Sequence, residues 1–154
     1  MTFAVIRVRG TVNVKKDIKE TLSMLRLHRV NHCVLISESP QYKGMLQKVK
    51  DYVTWGEIED KVLKDMIKTH GRLEGENEIT DKYVKSNSDY KNITDFASSV
   101  AKGDMKYSDL KNIKPIIRLH PPRKGYEGIK RAYAAGGALG YRGKKINDLI
   151  KRML

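Results

Sequence analysis

The chain is poor in the residues that build covalent or metal-centred chemistry. It has one cysteine, Cys33, so no disulfide can form within it. The fold must rest on packing alone, and the lone thiol fits a reducing compartment. At 154 residues packing suffices: a chain of this size buries a sizeable core and fits one domain of ~100–200 residues. His28, His32 and Cys33 lie close together, but no second Cys/His pair completes a zinc set at the usual spacing. No nucleophile is placed beside a base, and the acidic residues form no obvious catalytic pair. Gly143-Lys144-Lys145 is akin to the end of a phosphate loop. However, position 138 is Ala rather than Gly, and no Ser or Thr follows the lysine. Gly136-Gly137-Ala138-Leu139-Gly140 is no dinucleotide fingerprint either. The expectation is no catalysis, no cofactor, no metal and no small-molecule substrate.

Long apolar runs are also absent. No stretch approaches the ~20 residues of a membrane span, so no membrane partner is expected. Met1-Thr2-Phe3-Ala4-Val5 is apolar but soon meets Arg7 and Arg9, unlike a secretory leader. A mature start and a cytoplasmic location are expected. No internal repeat or low-complexity segment stands out.

Positive charge is what the chain has in excess. Lys and Arg number 31 against 18 Asp and Glu, a formal charge of +13. The excess is uneven: residues 1–58 carry a net +5, residues 59–112 a net −1 and residues 113–154 a net +9. Such a charge costs self-repulsion that a polyanion relieves, and its confinement to two segments is an electrostatic footprint.

The apolar pattern predicts a strand over Phe3–Val8, with Arg7 and Arg9 two apart on one face near its end. A helix over Lys15–Leu27 follows, with Asn13 as its expected N-cap and Ile18, Leu22 and Leu25 as its inward stripe. His32–Ser37 is a second strand, with Cys33 in its buried run. Ser39-Pro40 opens a second helix, which runs to about Tyr52 with Tyr42, Met45, Leu46 and Val49 on one side. Val53–Ile58 is a third strand. Strand–helix–strand crossovers favour a right-handed unit with both helices on the sheet. Glu59–His70 is a third helix, ended by Gly71. Residues 71–92 are expected to be loop-rich, with Thr80 and Thr94 each capping a short helix. Ile113–Leu119 is a strand candidate that Pro115 confines to a sheet edge or to the strand's start. Ile146–Met153 closes the chain as a short helix.

Two basic constellations stand out. From Arg118 to Lys145 cations alternate with small residues and tyrosines, and His120, Arg123, Lys124, Tyr126, Lys130, Arg131, Tyr133, Tyr141, Arg142, Lys144 and Lys145 are candidate RNA-binding residues. Cations neutralise phosphates, glycines let the backbone approach, and tyrosines stack on bases. A flexible basic loop without a defined partner has the same composition. Lys144 and Lys145 sit at the start of the closing helix, where cations oppose the helix dipole. They form a phosphate site with the free amides there, or are simply two solvated lysines. The second constellation is Arg7, Arg9, Lys15, Lys16, Arg26, His28 and Arg29, either a second RNA face or an ordinary solvated surface. His70 and His120 look isolated.

Three segments carry a family resemblance. Phe3-Ala4-Val5-Ile6-Arg7-Val8-Arg9-Gly10 leads into Thr21-Leu22-Ser23-Met24-Leu25-Arg26-Leu27-His28-Arg29-Val30-Asn31. Pro40 through Gly56 includes Gly44-Met45 and Val53-Thr54-Trp55-Gly56. Arg118-Leu119-His120-Pro121-Pro122-Arg123-Lys124-Gly125 pairs with the ending Ile146-Asn147-Asp148-Leu149-Ile150-Lys151-Arg152-Met153. In order and spacing these resemble the archaeal form of the ribosomal protein L-thirty family, whose eukaryotic relative is large-subunit protein seven. The resemblance implies an α+β fold, with a ferredoxin-like β-α-β-α-β core over residues 1–58. A mostly helical, basic C-terminal extension, residues 59–154 with a Gly-rich segment, would pack on that core as one structural unit. It implies an architectural role in the large ribosomal subunit, with large-subunit ribosomal RNA and neighbouring ribosomal proteins as partners. The missing long basic N-terminal arm of eukaryotic members favours an archaeal source. A free RNA-binding module or RNA chaperone shares the charge pattern, and a small enzyme acting on a phosphorylated substrate is the third reading.

Overall fold

A computed structural model describes all 154 residues. β1 (Thr2–Arg7) lies between β2 (His32–Ser37) and β3 (Val53–Glu57) and is antiparallel to both. β2 and β3 are thus parallel to each other, and only the link between them is a crossover of the kind expected from sequence. β1 and β2 instead enter the sheet antiparallel, joined by α1 (Lys16–Met24). β4 (Ile116–Arg118) adds to the outer edge of β2, and β5 (Gly140–Tyr141) runs parallel to β3. The result is a five-stranded mixed sheet in the order β4-β2-β1-β3-β5, and the fold class is α+β.

Successive strand residues point to opposite faces, and the core divides accordingly. Phe3, Val5, Val34, Ile36, Val53 and Trp55 pack with Leu22, Leu25 and Leu27, and with Leu46 and Val49 at α2 (Pro40–Lys48). Ala4, Ile6 and Cys33 face the other way. They meet α3 (Asp60–His70), α5 (Ile93–Lys102) and α6 (Ile146–Met153) through Met66, Ile67, Phe96, Val100, Ile146 and Ile150. α4 (Asp81–Asn87) joins this larger core through Val84. All six residues of β1 are buried. The sheet itself joins the two segments, since β4 and β5 both come from beyond residue 58.

Local chemistry sets most helix ends. Ser39 Oγ accepts from the Tyr42 N–H at 3.3 Å with Pro40 at the first helical position, as expected. α2 stops at Lys48 rather than Tyr52, because Val49 leaves helical geometry and the Tyr52 N–H turns back to the Val49 carbonyl. α1 begins at Lys16, not under Asn13: Asn13 takes a left-handed conformation (φ 57°), and Lys15 caps without a side-chain bond. At the far end of α1 the Leu27 N–H bonds the Leu22 carbonyl and the Arg26 N–H bonds Ser23. This is a Schellman closure with Arg26 (φ 62°) in the left-handed position usually held by glycine.

Residues 71–92 are more ordered than expected. Thr80 caps α4 as anticipated, its Oγ1 accepting from the Tyr83 N–H at 3.2 Å. α5, however, is capped by Asn92, whose Oδ1 accepts from the Asp95 N–H at 2.9 Å. Thr94 is already inside the helix. β4 starts just after Pro115 on an open edge, where its missing N–H costs no ladder bond.

One close approach locks β3 to the turn before α6. A Cβ added at Gly56 would lie 1.9 Å from the Gly143 carbonyl oxygen. Gly56→Ala should therefore destabilise the protein by at least ~1–3 kcal/mol, the usual range for overpacking. Gly44, inside α2, has open space at its Cβ position, so Gly44→Ala should add ~0.5–1 kcal/mol. Urea unfolding of both variants checks the pair.

Candidate nucleic-acid interface

The expected RNA-binding residues do not form one surface. Three of them are structural. Arg7 is 3% exposed, with its guanidinium turned into the protein. Nη1 donates to the Leu27 carbonyl at 2.7 Å, Nε to Arg9 at 2.9 Å and Nη2 to Gly10 at 3.1 Å. It thereby holds the loop after α1 against the end of β1. Arg142 is 7% exposed. Its Nε donates to Thr54 Oγ1 and its Nη2 to the Ala138 carbonyl, both at 2.8 Å, and its guanidinium lies 4.8 Å from the centre of the Tyr133 ring. Burial lowers the pKa of both arginines from the ordinary value. Tyr126 donates to Asn31 Oδ1 at 2.6 Å and packs beside Val8, Ala138 and Leu139. Desolvation raises the pKa of its hydroxyl. Its ring is a wedge between loops rather than an open stacking platform. The two arginines fill carbonyls that irregular backbone would otherwise bury unpaired.

The remaining cations divide between the two ends of the sheet. β1 ends where β2 and β3 begin, and the C-terminal segment converges on that end. The Asn31 N–H bonds the Arg7 carbonyl, Leu119 bonds Asn31, His120 bonds Met153, and Arg123 bonds Arg152. Arg9 is half-buried there, its guanidinium 5.2 Å from the centre of the Tyr52 ring. His28, Arg29, Arg118, Arg123 and Lys124 are exposed in the segments that meet here. Lys130 and Arg131 are exposed on the loop that packs on Val8 through Ala138 and Leu139. Of these cations only Arg118 has an acidic partner, Glu76 at 3.8 Å. Lys15, Lys16 and Arg26 are exposed at the two ends of α1, and of them only Lys16 is paired, with Glu20 at 4.0 Å. Lys124 (φ 65°) is, like Arg26, a cation at a left-handed backbone position.

Lys144 and Lys145 sit towards the opposite end. β5 runs along β3, and Asn147 beyond it bonds the Glu57 and Lys144 carbonyls through Nδ2 and the Glu59 N–H through Oδ1. Lys144 shares a cleft with Lys61 and Lys102 as well as Glu59 and Asp60, and Lys145 pairs with Asp148 at 3.8 Å. A 3-10 turn over Gly143–Lys145 turns nearby amides onto the Gly143 and Lys144 carbonyls. Tyr141 is also near this end, 53% exposed, with its hydroxyl donating to Glu57. Carboxylates adjoin Lys144, Lys145 and Tyr141, among further cations.

His32, weighed in the sequence only as a metal ligand, stands among the cations. It is the first residue of β2, opposite Arg118 on β4, and its Nδ1 is buried without a partner. Burial, then the charges of Arg118, His28, Arg29 and Arg7, lower its pKa. His28 and Arg29 are its neighbours in sequence, Arg7 comes with the pairing of β1 and β2, and only Arg118 arrives with β4. Nor are His70 and His120 isolated: their rings meet edge-on at 5.0 Å. Cys33 is fully buried, and desolvation pushes its thiol up to about 12, so it is a core residue.

Arg142→Lys should cost ~1–3 kcal/mol, because one ammonium cannot replace a fork that satisfies two buried acceptors. Lys130→Ala, fully on the surface, should stay within ~0.5 kcal/mol of the parent. A depressed histidine pKa also fixes a sign for pH. The unfolded chain, with histidine near 6.5, takes up the proton more readily than the folded one. Stability should be highest above that pH and fall as pH drops through it. His32→Gln should flatten the fall, with His70 supplying a residual slope of the same sign because its pKa is also lowered, first by burial. Thermal melts between pH 8 and 5 read this directly.

Comparison with known proteins places the chain among relatives along its whole length. The sequence profile described as ribosomal protein L30p/L7e matches residues 3–53. A protein named large ribosomal subunit protein uL30 from Methanobrevibacter smithii is 56% identical over 152 residues, covering 99% of each chain. Proteins of the same name from Methanoregula boonei and Methanoculleus marisnigri are 52% and 51% identical, each covering 98% of this chain and 99% of the relative.

Proposed function

The chain belongs to the ribosomal protein L30p/L7e family, and from that premise we propose that it is a structural constituent of the large ribosomal subunit in the cytoplasm. It binds large-subunit ribosomal RNA and stabilises its folded architecture without catalysis. The observation that carries this reading is the end-to-end match, at half identity or better, to archaeal proteins named for that subunit. The mixed sheet with α1 and α2 on one face supports a ferredoxin-like core over residues 1–58. Residues 59–154 are then the extension that covers its other face, and the two form one unit.

RNA contact is assigned to one end of the molecule. Arg9, Arg26, His28, Arg29, His120, Arg123, Lys124, Lys130 and Arg131, with Lys15 and Lys16 at the start of α1, present charge to the backbone. Arg118 and His32 join them. Arg7, Tyr126 and Arg142 act behind this surface by fixing the loops that carry it, and Tyr133 supports Arg142. Such a surface reads shape and phosphate rather than base edges. Arg26 and Lys124 support this assignment most specifically. Each holds a left-handed backbone that glycine would adopt without strain, at a cost of roughly 1–2 kcal/mol, while its charge points to solvent.

Arg26→Gly should accordingly raise stability by up to that amount while weakening RNA binding. Arg123→Glu with Lys124→Glu should lower affinity for large-subunit RNA, and flatten its dependence on log salt by about one unit per lost phosphate contact. Charge reversal at Lys82 and Lys85, on α4, should leave the slope unchanged. Filter binding across a salt series decides this. Sucrose-gradient sedimentation of a lysate tests the ribosomal assignment itself: the chain should travel with large subunits through moderate salt. Finding it only in the light fractions at low salt would overturn the proposal in favour of a free RNA chaperone.

A further inference from the structure

The surface around Tyr141 has its own chemistry. Near where β1 begins and β3 ends, a cleft of about 320 Å³ is lined by Phe3, Trp55, Tyr141, Glu38, Glu57, Gln47 and Lys43, whose ammonium is taken up by Glu38. Tyr141 is half exposed yet held on three sides. Its ring meets Phe3 edge-on at 6.4 Å and Trp55 at 6.3 Å, and its hydroxyl donates to the Glu57 carboxylate. Glu57 has no cation of its own chain within salt-bridge distance, whereas Glu38 pairs with Lys43 at 2.7 Å. A chain of net +13 thus keeps an unneutralised carboxylate beside a fixed, exposed aromatic ring.

A phosphate would meet repulsion here. A cation meets two complementary features: a ring face for cation–π contact and a carboxylate with accepting capacity left. A guanidinium suits the pair best, since it stacks and bonds in one plane. We infer that this cleft receives a cationic side chain, an arginine foremost, from a basic segment of a neighbouring protein. Tyr141 then serves protein recognition rather than base stacking. The cleft shares no residue with the RNA-facing end, so the two assignments stand or fall separately. Because Phe3, Trp55 and Glu57 hold the ring in place, little side-chain freedom is lost when the partner docks.

Trp55 is the only tryptophan, so its fluorescence reports on the cleft. The full chain is titrated with a short arginine-rich peptide, its citrulline counterpart and a single-stranded RNA oligomer. The arginine peptide should give a saturable change, weaker by about tenfold or more with citrulline or in Glu57→Gln, as expected for loss of one charged partner. In Glu57→Gln the amide oxygen can still accept from Tyr141, and circular dichroism checks the fold. Gln47→Glu, which adds a carboxylate at the rim, should tighten binding. The Arg123→Glu/Lys124→Glu chain should bind the peptide as the parent does while losing RNA affinity. No saturable change, equal response to citrulline, or indifference to both Glu57→Gln and Gln47→Glu would each overturn the inference. In assembled subunits, a photo-crosslinker at Gln47 should join to protein, and joining only to RNA would also overturn it.

Discussion

Both faces of β1 are closed to water from Thr2 to Arg7, and most of the architecture answers that condition. A strand whose alternate residues point two ways and are apolar on both needs a layer on each side. α1 and α2 supply one layer within the first 58 residues, over Phe3 and Val5. The other, over Ala4 and Ile6, comes from α3, α5 and α6. Without those helices Ile6 and Cys33 would face solvent. The second half of the chain therefore completes the core rather than decorating it. Thr2 Oγ1 donating to the Val100 carbonyl ties β1 to α5 in the same way.

Closing the sheet on both faces also dictates how the charge is distributed. Basic groups are left to the strand ends, the loops and the outer faces of the helices. Two arginines are drawn inside by the polar backbone they meet there, and their burial lets irregular segments pack tightly. Arg7 fastens the return from α1, and Arg142 fastens the Gly-rich segment to β3 through Thr54. Of the other candidate RNA-binding cations, most stay outside without acidic partners, and the larger group lies where β1 ends. Carboxylates Glu38, Glu57, Glu59 and Asp60 lie towards the other end, interleaved there with Lys43, Lys61, Lys102 and Lys144. The two ends of β1 therefore differ in kind, with unpaired cations at one and mixed charge at the other.

Much of this was legible from residue order. The excess of charge in two segments, the absence of catalytic or metal spacing, the first three strands with their helices and the Ser39-Pro40 cap all follow from local chemistry. Local patterns carry them because periodicity, capping and charge are properties of neighbours in sequence. Other features needed partners far along the chain. β5 is two residues long and has no period to read. The exchange of Thr94 for Asn92 as a cap is a shift of two residues that propensity does not resolve.

The candidate RNA residues mark the division most sharply. Composition could say that Arg7, Arg26, Arg123 and Arg142 are cations in basic segments. It could not say which head groups stay in water, because that depends on whether buried carbonyls from distant loops stand within reach. Arg7 finds Leu27 and Arg142 finds Ala138 and Thr54, so both turn inward. Arg26 and Arg123 have no acidic partner and stay exposed. Likewise, His32 gains Arg118, and Tyr141 its carboxylate, only when β4 and β5 join the sheet. The sequence alone determined a basic chain, its excess charge held in two end segments, with the alternating strands and helices of an α+β protein. Tertiary structure alone decided which charges hold the fold together and which are free for a partner, because burial and pairing belong to contacts across the chain.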